Sequence, residues 1–176
     1  MKTNLSLWQF AGFSITSLAG TLLHFLYDWT NQSILIAPFS GVNESTWEHM
    51  KLVFFPLLLF ALVQKCFFED YENFWCIKLK GILTGLILIP TLFYTYTGIF
   101  GKSPDWINIA IFFLSTGSAF LSEWYLFKKN DPNCKHLNFA LGILFLISTL
   151  FVIFTFFPPR IPLFQDPQTG TYGLPK

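Results

Sequence analysis

Five stretches of the chain, residues 8–27, 45–68, 76–100, 106–127 and 137–157, are each long and apolar enough to cross a hydrocarbon core, which takes about 20 predominantly apolar residues as a helix. In lipid, every backbone N–H and C=O has to be satisfied internally, so such stretches are restricted to helices packed against one another. The expected fold is therefore an all-α polytopic membrane bundle of five transmembrane helices, with residues 1–176 forming a single integral membrane domain. Charge content agrees: 12% of the residues are charged, against about 25% in soluble domains. A formal net charge of +1 with no basic patch argues against nucleic acid and leaves the lipid bilayer as the expected partner. The first span is of full length and is followed by no small-residue cleavage site, so it reads as a retained helix and not as a signal peptide.

Orientation is read from Lys and Arg in the short connections. Lys2, Lys65, Lys78, Lys80, Lys128, Lys129 and Lys135 fall on one side, and Lys51, Lys102, Arg160 and Lys176 on the other, seven against four. This places the N-terminus inside and the C-terminus outside, in a cell membrane that is either a bacterial inner membrane or a plasma membrane. Cys66, Cys76 and Cys134 then lie near the inner side, where thiols stay reduced. No Cys-x-x-Cys spacing is present.

The unusual polar residues gather on the opposite, outer face. Ser17, Thr21, His24 and Asp28 recur at intervals of four, three and four in the first span and so share one helix face. His24 and Asp28 are placed to meet, the carboxylate orienting the imidazole. The second span opens with Asn43-Glu44-Ser45-Thr46-Trp47-Glu48-His49-Met50-Lys51. Ser45 and Glu48 fit a capping box, and Glu48 can pair with Lys51 one turn on. Capping accounts for neither Glu44 nor His49. Between these spans the apolar run 34–39, with Pro38 and Gly41 setting turns, is expected to dip into the interface or re-enter the protein, because bare backbone cannot face lipid. Residues 158–176 interleave Ile161, Leu163, Phe164, Tyr172 and Leu174 with a turn at Asp166-Pro167, and read as an ordered outer tail folded back as a lid. Small residues in the fourth and fifth spans (Ser115, Ser118, Ser122, Gly142, Thr149) suit close helix packing. Glu123 reads as the partner of a lysine or as the end of its span, and Tyr94 to Thr97 as a polar band satisfied within its own helix.

The segments His24-Phe25-x-Tyr27-Asp28-Trp29, APFSGVNESTWEHMK, Tyr94-Thr95-Tyr96-Thr97-Gly98 and FQDPQTGTYG together resemble a family of small bacterial multi-pass membrane proteins labelled only as a domain of unknown function. The likeness covers nearly the whole chain. It implies a bacterial inner-membrane protein of this architecture and supplies no activity.

Three functions are compatible with these residues. The first is an outward-facing polar pocket of His24, Asp28, Glu44, Glu48 and His49, joined by Asp166 and Tyr172 from the tail, that binds or transports a cation, a proton or a small polar solute without a cofactor. With no inverted repeat visible, a permeation path would call for a homo-oligomer or a membrane partner. The second is an intramembrane metal-dependent hydrolase of a lipid-type substrate, with His24, Asp28 and His49 holding zinc or another divalent metal. Glu48 and His49, adjacent on a helix, point about 100° apart and cannot both face one ion, so catalysis fits less well than binding. The third is a structural or accessory membrane subunit whose polar cluster only fixes packing.

Overall fold

The structure, a computed structural model, describes residues 4–69, 71–129 and 137–175. Among these are five long helices, α1 (Leu5–Trp29), α2 (Thr46–Lys65), α3 (Phe74–Phe100), α4 (Asp105–Lys129) and α5 (Leu137–Phe156), followed by a short 3₁₀ turn at Pro162–Phe164. All five are long and apolar enough to cross a membrane. Each overlaps the span expected from the sequence. Consecutive helices run antiparallel, so Trp29, Thr46, Phe100, Asp105 and Phe156 share what is called here the upper end.

Helix α2 is the centre of the bundle. Leu52 to Leu57 are all buried, and α2 packs against the other four helices and the 3₁₀ turn. Its uninterrupted apolar run is short for a lipid-facing span, and burial removes that requirement. Polar residues are tolerated within it because protein, not lipid, surrounds them. The other helices present Leu18, Leu121 and Phe145 among many exposed apolar side chains, the surface expected of helices in contact with a bilayer.

Helices α3 and α4 approach closely where α3 has glycine. A Cβ on Gly81 would collide with Cγ of Glu123, and one on Gly85 would lie 3.3 Å from Cβ of Ala119. The small residues of α4 pack as expected at Ser115, which is buried, whereas a Cβ on Gly142 of α5 would meet nothing within 4 Å. In the polar band of α3, Thr97 bonds the carbonyl of Phe93 at 2.9 Å, the self-satisfied arrangement.

At the lower end Lys78 of α3 and Glu123 of α4 form a fully buried ion pair, Nζ to Oε2 2.6 Å. The rings of Phe60, Phe74 and Phe120 surround the ammonium at 5.3 to 5.8 Å. The Gln9 and Gln64 side chains are buried without a hydrogen-bond partner among the described residues. Glu123 thus takes the lysine partner foreseen for it, but Lys78 is no interfacial lysine. Removing the buried Lys51 and Lys78 from the orientation count leaves six charges against three on the same sides. Of the remaining nine, Lys2, Lys135 and Lys176 lie outside the described residues, as does Cys134. Cys66 is a free, exposed thiol.

Candidate functional site

The connection between α1 and α2 begins with a left-handed turn at Asn31 and Gln32 (φ 52° and 59°) that satisfies the last carbonyls of α1. It then runs back into the protein, burying Ala37, Ser40 and Val42 as the apolar run foretold. Four hydrogen bonds hold it there. The Ser40 hydroxyl accepts from the Tyr27 N–H at 3.0 Å and donates to the Leu23 carbonyl, so it stands between the two groups that would otherwise bond each other in α1. Lys51 Nζ donates to the Ala37 carbonyl at 2.9 Å, and the Val42 N–H donates to Glu48 Oε2 at 3.1 Å.

Glu48 and Lys51 are one buried unit, paired at 2.6 Å, with Lys51 also donating to Thr155 of α5 at 2.9 Å. Ser45 caps the Glu48 N–H at 3.4 Å as expected. The reciprocal half of the capping box does not form, because the Glu48 carboxylate is engaged by Lys51 and Val42, while the Ser45 N–H donates to Asn43 Oδ1 at 2.8 Å. Glu48 therefore belongs to the scaffold that shapes the loop.

That scaffold sets Glu44 between two histidines. His24 Nε2 lies 3.6 Å from one carboxylate oxygen and His49 Nε2 lies 3.5 Å from the other, with the two rings 5.6 Å apart. His49 is oriented by its Nδ1, 3.0 Å from the Ser45 carbonyl, which assigns the proton there. The side chains of His24, Glu44 and His49 remain 29%, 35% and 21% exposed. All three line a cavity of about 400 Å³, together with Gly20, Thr21 and Phe25 of α1, Leu52 of α2, Asp105, Asn108, Ile109, Phe112 and Phe113 of α4, and Gln168 of the tail. Among the described residues, two carboxylates, two imidazoles and two amides face this space, and no Lys or Arg lines it.

The residues singled out in the sequence divide in the structure. His24, Glu44 and His49 come together. Asp28 is exposed, and the ion-pair partner of His24 is Glu44. Asp166 is buried within the tail, where its carboxylate accepts from the Gln168 N–H and the Thr169 hydroxyl, both at 2.8 Å. Tyr172 pairs with Gln165 across the tail hairpin and packs on the core. The tail does fold over the upper end: the Phe164 ring lies tilted against Trp47 with centroids 4.7 Å apart, and the Gly173 carbonyl accepts from Asn43 at 2.8 Å. It brings Gln168, not Asp166, to the cavity. Asp105 and Asn108, three positions apart in the first turn of α4, share a helix face that the sequence reading did not single out, and Gln168 stands outside any helix. For the metal reading, no group of three or more His, Cys, Asp or Glu side chains among the described residues is arranged to hold an ion.

The model of a family described as a family of unknown function, DUF6512, matches residues 1–174. No curated protein and no solved structure matches the chain.

Proposed function

The chain belongs to DUF6512, a family of unknown function, and from the geometry of its upper cavity we propose that this multi-pass membrane protein binds, as the first step of presenting or transporting it, a cation or a small positively charged polar solute. The observation that supports this reading is Glu44, held between His24 and His49 at 3.6 and 3.5 Å. Ionisable groups in membrane proteins are costly and are normally paired or used. Glu48 and Lys51 settle each other, as do Lys78 and Glu123. Among the described residues no lysine or arginine pairs with Glu44, and its contacts to the imidazoles are longer than hydrogen bonds. Asp105 adds a second carboxylate to the same cavity. The volume lies within the roughly 300–1,000 Å³ usual for small-molecule pockets. The upper end is read as the outer face, from the lysine and arginine bias.

Calorimetric titration of the purified protein in phosphatidylcholine nanodiscs with n-butylammonium chloride tests the reading. Saturable binding is expected, weakened at least tenfold by Glu44→Gln. Equal binding by the variant, or none by the parent protein, overturns it.

A further inference from the structure

The cavity is open to the side as well as to the top. Three of its lining residues, Phe25 of α1 and Ile109 and Phe113 of α4, are at the same time 45%, 57% and 42% exposed on the outer surface of the bundle. A lining residue that is also part of the lipid-facing surface marks a gap in the wall, here between α1 and α4.

Its depth decides which phase the gap faces. Trp29 and Trp106 are both exposed at the upper ends of these helices, where tryptophan marks the headgroup level. From Asp105 to Phe113 is eight residues of α4, about 12 Å at the helical rise. The headgroup layer on each side of a bilayer is roughly 5–8 Å thick. The floor of the cavity therefore lies beneath the headgroups, level with acyl chains, while Glu44, Asp105 and Gln168 lie at its polar upper edge. A ligand known only to be a small cation explains the upper edge and leaves the apolar lower half, Phe25, Leu52, Ile109, Phe112 and Phe113, without a role.

We propose that the occupant is a membrane-resident amphiphile with a protonated amine head and a hydrocarbon chain, which enters from the upper leaflet between α1 and α4 and sets its ammonium against Glu44 and Asp105. This rests on the cation-binding reading above and adds to it the chain and the lateral route. The carboxylates supply the charge preference. The aromatic and aliphatic wall offers the first methylenes an apolar surface in place of the acyl chains they leave. Entry from the bilayer also spares the chain any passage through water.

The test is photolabelling of the protein in phosphatidylcholine nanodiscs by dodecylamine with a diazirine in its chain, the labelled peptides being mapped by mass spectrometry. Label is expected to concentrate on residues 20–25 and 105–113, to be competed by dodecylamine but not by dodecanol or dodecanoate, and to fall at least fivefold in Glu44→Gln and in Ile109→Trp. Leu121→Trp, the same substitution on the lipid-facing lower part of α4, should leave it unchanged. Label spread evenly over all five helices, equal competition by dodecanol, or no effect of Ile109→Trp overturns the proposal. If butylammonium binds and the amphiphile is not focused on these segments, the lateral site is wrong and the cation site stands. If neither binds, the cation site is wrong as well.

Discussion

Single residues in the upper half of the bundle perform separable tasks, although they sit within nine positions of one another. Lys51 is fully buried and holds Glu48, the Ala37 carbonyl and Thr155 together. Removing one partner of a buried pair leaves an uncompensated charge, at a cost of about 3–5 kcal/mol. Lys51→Met is therefore expected to destabilise the protein by that order, and adding Glu48→Gln to recover part of the loss, as read by unfolding in detergent. Glu44→Gln should change stability little, because the carboxylate is partly exposed and only loosely contacted. Sequence alone separated Glu44 and His49 from the residues explained by capping. It could not pair His24 with Glu44, because the i, i+4 neighbour Asp28 is the obvious partner until a re-entrant loop brings the competitor closer.

At the level of elements, the length and apolarity of five stretches located all five helices, with ends displaced by no more than three residues. Membrane thickness fixes helix length, and that is why these boundaries were readable. Long-range pairing was not, since nothing local in Lys78 announces Glu123, 45 positions away. The tail was recognisable from its apolar residues, and its anchor is Phe164, which lies against Trp47 and Phe154 with ring centroids 4.7 and 5.3 Å apart. Truncating a buried aromatic costs about 3–5 kcal/mol, more than so short a segment can lose and remain docked. Phe164→Ala should accelerate tryptic cleavage after the exposed Arg160 while leaving the five helices intact, as followed by mass spectrometry. The re-entrant loop has its own test in Ser40→Ala. Without the inserted hydroxyl, α1 can close its Leu23 to Tyr27 bond, and the displaced loop should carry Glu44 away from His24. Weaker butylammonium binding with an unchanged helix content is the expected result.

On the scale of the whole molecule, orientation follows from charges that act while the chain inserts. We therefore expect the free thiol of Cys66 to resist a membrane-impermeant maleimide in intact cells and to react once they are permeabilised, whereas a Pro167→Cys tail should react in both. The buried lower ion pair also has a meaning for how the chain is made. Glu48 and Lys51 lie on one helix, so α2 can leave the insertion machinery with its charges already neutralised. Lys78 and Glu123 lie on successive helices. Until α4 is synthesised, Lys78 must extend to water, and α3 cannot take its final depth or rotation. The pair thus makes α3 and α4 a unit of biogenesis, a hairpin whose first half waits for its second.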